Sequence, residues 1–431
     1  MQTPTDPGIE IEAAVTADES TAVEVGAAGG RLTSVDTLRG IIMVLMLLDH
    51  TRDFFTDIQA DPMDPQTSTL PLYFTRWITH FCAPLFVFLA GASAYLMRAL
   101  GKEPDARSLA RFLASRGLFL MVVELTLVRL GIFFGWGLDG MFLQVIWVIG
   151  LAMVALAALV GMGFSPVVIG TVGGFIVLGH NLLDLAAGQP TAGPPDRAIP
   201  WWFALLLRPG PISLADGVRW FVAYPLLPWF GIMCLGYAFG TVLARARPTR
   251  IRRTAALGLA ACLAFLALRL LAVYGDPVPF HAQDSAMKTL MAFLNCQKYP
   301  PSLIYVLMTL GPGLLILAAL DASQEDGPTS GAGREGLAGR LRRLLSTLGR
   351  VPLFYYVLQW PLLHLLAIAA GLVNGRPAPW TGAPFDVPFP SYSLGFAYAM
   401  WLLAVAILYL PCRWYARLRQ RRKDLTWLSY L

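Results

Sequence analysis

Six residues at spacings of three and four, Asp36, Arg39, Met43, Met46, His50 and Asp53, fall on one face of a single predicted helix. Arg39 and His50 stand close to three helical turns apart, roughly 16 Å along the axis. A guanidinium at one end suits an anion, and an imidazole at the other can move a proton. Asp49-His50-Thr51-Arg52-Asp53 packs four ionisable groups into five positions. A neighbouring carboxylate can fix the tautomer of an imidazole and raise its basicity, and Asp53, one turn on, is as well placed as Asp49. Arg76 and His80 repeat the guanidinium–imidazole pairing one turn apart. Plainer readings stand beside these. Asp36 with Arg39 also suits a capping and anchoring pair, and residues 49–53 an interfacial salt-bridge cluster that ends the helix.

These groups sit in a strongly apolar chain of 431 residues, 56% hydrophobic and only 14% charged. Runs of about 20 apolar residues, the length that crosses a bilayer, recur along it. The pattern predicts an all-α, polytopic transmembrane bundle with about ten spans, near 35–55, 74–99, 112–134, 140–162, 165–187, 217–243, 254–274, 302–320, 351–373 and 393–413. Of the 33 Lys and Arg residues, 21 lie in 98–116, 245–253, 334–350 and the tail from Arg413, in every second connection. Basic loops stay on the cytoplasmic side, so both termini are expected there, in the cytoplasmic membrane. Residues 1–31 read as an acidic disordered tail, 32–413 as the membrane domain and 414–431 as a basic tail. The net charge of +6 comes mostly from those loops, which implies contact with anionic lipid and not nucleic acid. Cys82, Cys234, Cys262, Cys296 and Cys412 share no close spacing, so neither a metal cluster nor a disulfide framework is expected.

Under this topology all five histidines fall toward the outer side. His180 and His281 read as ordinary interfacial or loop residues, whereas His50, His80 and His364 are embedded in or beside apolar helix. Glu124 lies mid-span with Arg129 five residues on, either a functional path or a structural pair. Lys298 and Tyr299 precede Pro300-Pro301 and are held extended at the outer surface. The segment from Pro352 to His364 carries aromatics, Gln359 and His364 into the ninth span, the aromatics suiting an interfacial belt.

At these residues the chain resembles the heparan-α-glucosaminide N-acetyltransferase catalytic-domain family of transmembrane acyltransferases. The likeness rests on Ser34-x-Asp36-x-x-Arg39-Gly40, Asp49-His50 with Arg52-Asp53, and Pro84-Leu85-Phe86-Val87-Phe88-Leu89-Ala90-Gly91. Lys298-Tyr299-Pro300-Pro301-Ser302 and the span from Pro352 look like those of the family's bacterial branch. The resemblance implies transfer of an acetyl group from cytosolic acetyl-CoA to a sugar or glycan amine or hydroxyl on the far side. No histidine lies between His50 and His80, so the implied catalytic role falls to one of them, with Asp49 or Asp53 orienting the ring. Arg39, Arg111 and Arg116 are expected to hold the donor's phosphates. Arg52, Arg76 or Lys298 would stabilise the oxyanion, with Glu124 along the substrate path. The rival expectation is a proton-coupled transporter or flippase, with Glu124, His50 and His364 as relay sites. The bilayer is the expected partner, and a homo-oligomer is left open.

Overall fold

The computed structural model describes residues 31–56, 61–103, 105–137, 140–186, 200–215, 218–324, 336–376, 378–382, 389–422, 424–425, 428 and 430. The acidic tail expected over 1–31 therefore lies outside the described residues apart from Arg31. The chain is mostly helical. The first helices are α1 (Thr33–Phe55), α2 (Leu70–Thr79), α3 (Cys82–Ala99) and α4 (Ala106–Val123). A π-helical turn (Glu124–Val128) joins α4 to α5 (Arg129–Phe133), and strand β1 (Gly140–Leu143) leads into α6 (Val145–Gly161). Then come α7 (Pro166–Gly179), α8 (Asn181–Ala186), α9 (Trp201–Leu206), β2 (Gly210–Ala215), β3 (Val218–Val222) and α10 (Leu226–Leu243). The chain closes with α11 (Arg247–Leu271), α12 (Ala286–Leu294), α13 (Leu303–Ala322), α14 (Leu337–Gly349), α15 (Pro352–Val373) and α16 (Leu394–Arg421).

Seven helical stretches among the described residues are long and apolar enough to cross a membrane: the α2–α3 pair, α7 with the start of α8, α10, α11, α13, α15 and α16. Local chemistry sets their ends. The side chains of Ser165, Ser302 and Ser393 cap α7, α13 and α16 by accepting from the backbone N–H three residues on. Asp105 does the same for α4.

One element was not expected of an all-α chain. β3 pairs in parallel with β1 and antiparallel with β2, giving the order β1-β3-β2. The expected spans over 140–162 and 217–243 thus begin as strands and turn helical only at Val145 and Leu226. Their first residues are mostly apolar, Gly140-Met141-Phe142-Leu143 and Val218-Arg219-Trp220-Phe221-Val222, and hydropathy over so short a run does not separate strand from helix.

α1 is the hub of the bundle, packed by α13, α14, α15 and α16 and by α2 and α3. Its predicted polar stripe faces inward, with Asp36, Met43 and Met46 all buried. Close approach at its basic end depends on two glycines. A Cβ on Gly40 would lie 1.9 Å from the Leu345 carbonyl oxygen of α14, and one on Gly349 1.8 Å from that of Asp36. α3 and α10 cross in the same manner through Gly91 and Gly236. A valine at position 40 must drive α1 and α14 apart. Gly40→Val is expected to cost about 3 kcal/mol, the upper part of the range for overpacking. In detergent its thermal midpoint should fall clearly, while Gly174→Ala, which meets nothing within 4 Å, should not fall. Equal midpoints for the two variants would contradict the packing described.

Candidate functional site

The last two turns of α1 meet the α2–α3 junction. Asp49 accepts from Arg76 Nη1 at 2.7 Å through Oδ2, while its Oδ1 lies 3.3 Å from Arg52 Nη2. The same Arg52 nitrogen donates to Asp53 at 2.5 Å. The carboxylates are thus engaged by guanidinium groups, and no hydrogen bond joins Asp49 or Asp53 to His50 among the described residues. Arg52 keeps its buried Nη1 without a partner. Lys298 is only 8% exposed and holds its ammonium 5.0 Å from the centre of the Tyr299 ring.

His80 sits at the break between α2 and α3. Its Nδ1 lies 2.9 Å from the Arg76 carbonyl oxygen. Beside a carbonyl that nitrogen must carry the proton, which leaves Nε2 as the acceptor. Tyr305 fixes the break from the other side by donating its hydroxyl to the His80 carbonyl at 2.7 Å. His80 therefore has a defined tautomer and a base nitrogen that no described residue occupies. His50 is held differently. Its ring stacks on Trp360 of α15 at 4.0 Å and meets Tyr356 edge-on at 6.4 Å.

Behind His50 a chain of buried polar atoms has no well-aligned hydrogen bond among the described residues, although Gln359 lies beside His50 and Tyr356 beside Trp360. It comprises His50 Nδ1, the Tyr356 hydroxyl, both amide atoms of Gln359, Glu124 Oε2 and Gln144 Nε2. They form one neighbourhood. Gln359 and Tyr356 flank His50, Glu124 acts electrostatically on Tyr356, and Glu124 Oε1 accepts the Gln144 backbone N–H at 3.0 Å. Glu124 opens the π-helical turn, a distortion that recurs at functional sites. Buried polar atoms are nearly always hydrogen-bonded, so six orphans in one neighbourhood mark where a polar ligand or water belongs.

The opposite end of α1 is basic. Arg39 donates to the Leu89 carbonyl at 3.1 Å and to the Ser93 hydroxyl of α3. Asp36 is shared among Arg31, Arg39 and Arg350. Arg116 and Arg419 lie close enough to Arg39 to repel it. Burial, helped by Arg31 and Arg419, holds the nearby Lys102 ammonium below the ordinary lysine value. Arg31, Arg39, Arg350, Lys102 and Arg419 thus share the one carboxylate of Asp36, and the cluster carries a surplus of positive charge.

Most of the expected residues therefore gather at two places. Asp49, His50, Arg52, Asp53, Arg76, His80 and Lys298 share one end of α1, and Arg39 and Arg116 the other. Glu124 joins the first group through Tyr356. Arg111 is exposed on α4 and joins neither. His364 makes its own enclosure, stacked on Phe134 at 4.2 Å with Nδ1 2.8 Å from the Ile132 carbonyl. His180 faces carbonyls of α7 and of Pro301. The sequence reading passed over Tyr356, Gln359 and Trp360 as site residues by assigning their aromatics to an interfacial belt. It also missed Arg31, Lys102, Tyr305 and Arg419. A signal for Tyr356 and Trp360 was present, since they flank Gln359, a polar residue inside an apolar span.

Tyr299 offers a direct check on the charge at the histidine end. Burial pushes its phenol up, but the Lys298 ammonium and the Arg76 guanidinium outweigh this and leave it below the ordinary value of 10.0. Its neighbour Tyr224, 3.3 Å away between hydroxyl oxygens, is pushed well above that value by burial and by Tyr299. In a spectrophotometric titration, phenolate should begin to form below the pH of ordinary tyrosines, and Tyr299→Phe should remove that early step. An unchanged titration in Tyr299→Phe would contradict the cationic surroundings assigned to it.

No curated protein matches the chain in sequence comparison. The family description "Heparan-alpha-glucosaminide N-acetyltransferase, catalytic" matches residues 31–275, which span α1 through the end of α11 and hold both ends of the α1 site except Lys298, α15 and the C-terminal arginines. The chain belongs to the heparan-α-glucosaminide N-acetyltransferase catalytic-domain family.

Proposed function

We propose that the protein is a transmembrane acetyltransferase that takes an acyl group from cytosolic acetyl-CoA and passes it to an amine or hydroxyl of a sugar or glycan on the outer face. The observation that carries this reading is the two-ended α1, with an anion-seeking cluster at Arg39 and a proton-transfer cluster at His50 and His80. Counting α1, α4–α5 and α6 with the seven apolar stretches makes ten crossings, with the Arg39 end cytoplasmic and the site in the cytoplasmic membrane. Basic connections on that side support this orientation.

The residues present fit such a donor. Surplus guanidinium groups around Asp36 suit its phosphates, with Arg39 and Arg116 the residues assigned to them. Beyond them, Gln359 and Tyr356 have unpaired polar atoms that suit the amides of its long arm. When bound, the thioester supplies the activated acyl group.

His80, through Nε2, accepts the proton that the acceptor loses as its nitrogen or oxygen bonds to the acyl carbon and the carbon–sulfur bond breaks. That proton returns to the departing thiolate. Arg52 Nη1 is a buried, unpaired donor and suits the developing oxyanion. Arg76 and Asp49 are positioning residues, because their ion pair fixes α2 against α1 and the Arg76 carbonyl sets the His80 tautomer. His50, braced on Trp360, lines the approach from the basic end.

The test is release of free thiol from acetyl-CoA by the reconstituted protein with an amino sugar such as glucosamine as acceptor. Removing a general base usually costs about 10²- to 10⁴-fold, so His80→Ala should lower kcat by that order with the KM for acetyl-CoA little changed. Arg39→Ala should chiefly raise that KM. Full activity in both His80→Ala and His50→Ala would refute the assignment.

A further inference from the structure

A second charged hollow adjoins the basic end of α1 and lies away from the histidines. α14 and the last turns of α16 enclose a groove of about 510 Å³ lined by five arginines, Arg340, Arg343, Arg350, Arg413 and Arg417. No carboxylate is among the described residues that line it. Arg413 and Arg417 also border an adjoining hollow of about 390 Å³, whose other walls are Leu410, Trp414, Leu418 and Arg421. The site is thus cationic on one side and opens onto an apolar helix surface on the other.

Its setting identifies the ligand class. α14 is amphipathic, with three arginines inside it and with Leu337 and Leu341, one turn apart, exposed on the other side. The start of such a helix suits a membrane interface, with Leu337 and Leu341 toward the acyl region while Leu348 is buried in the bundle. Leu410 and Trp414 of α16 are exposed as well and border the hollow next to the groove. Tyr409 borders the groove where α16 passes from polar to apolar surroundings. A soluble anion would use the guanidinium groups alone. An anionic phospholipid would use everything here, its phosphate between α14 and α16 and its chains along Leu410 and Trp414.

The geometry points to a specific site for an anionic phospholipid of the leaflet that contacts α14. Arg350 connects it to α1, since this arginine both lines the groove and lies 3.8 Å from Asp36. Arg419 donates to the Arg350 carbonyl at 3.1 Å and belongs to the cluster around Arg39. A lipid phosphate in the groove therefore touches the same chain of charges that organises the basic end of α1. The inference does not depend on acyl transfer, because it concerns side chains outside the reacting region.

Native mass spectrometry of the full-length protein released from micelles containing phosphatidylglycerol or phosphatidylcholine tests it. The unmodified protein should retain phosphatidylglycerol in preference to phosphatidylcholine. Arg413→Ala/Arg417→Ala should weaken that retention on the order of ten- to thirty-fold, as expected for two arginines at a lipid surface, and the corresponding double Lys variant should keep much of it. No headgroup preference in the unmodified protein would overturn the proposal on its own, whatever the variants do. Retention unchanged in the double Ala variant would overturn it too. So would displacement of the lipid by added coenzyme A, which would assign the groove to a soluble nucleotide.

Discussion

A helix carrying Asp36, Arg39, Asp49, Arg52 and Asp53 can occupy the centre of a bundle only if each charge meets an opposite one. Removing one partner of a buried pair costs about 3–5 kcal/mol, comparable to the whole stability margin of many domains. The structure meets this constraint at both ends of α1. Arg31, Arg39 and Arg350 converge on Asp36, and Arg52 and Arg76 on Asp49. A third pair secures the neighbour α13, where Asp321 accepts from Arg250 at 2.7 and 3.0 Å and from Ser34 of α1. These pairs fix where α2, α11, α13 and α14 sit, and the remaining contacts fill the space between them.

The two ends are balanced differently, and the difference matters for chemistry. At the histidine end the carboxylates are taken up by Arg52 and Arg76, so the imidazoles stay free of ion pairing and the Arg76 carbonyl alone sets the His80 tautomer. At the basic end a single carboxylate faces a surplus of cations, which leaves positive charge for a ligand. One helix thus presents a cationic cluster and a pair of histidines at its two ends, with buried Met43 and Met46 between them. The proposed transfer between a donor and an acceptor on different sides of a membrane rests on this two-ended arrangement.

Much of this was legible in the sequence. The spacing from Asp36 to Asp53 placed the stripe on one face, and the cost of charge in lipid turned that face inward. Arg76, His80 and Lys298 were recognisable as polar groups beside apolar helix. Partner choice was not legible. Nothing in the order of residues shows that Asp49 turns to Arg76 across helices instead of to His50 beside it, because distance in space and not along the chain decides the pairing. Trp360 was read past for a related reason. A run of aromatics entering a span suits an interfacial belt, and only the packing of α15 on α1 shows His50 stacked on it. The strands escaped notice because their residues are as apolar as the helices they precede.

Sidedness is the claim on which the account rests. With the protein reconstituted in sealed vesicles in one orientation, acetyl-CoA is supplied only on the Arg39 side and a membrane-impermeant amino sugar only on the His80 side. The account predicts N-acetylated sugar on the His80 side, with thiol released on the Arg39 side. Product formed only when donor and acceptor share a side would contradict it.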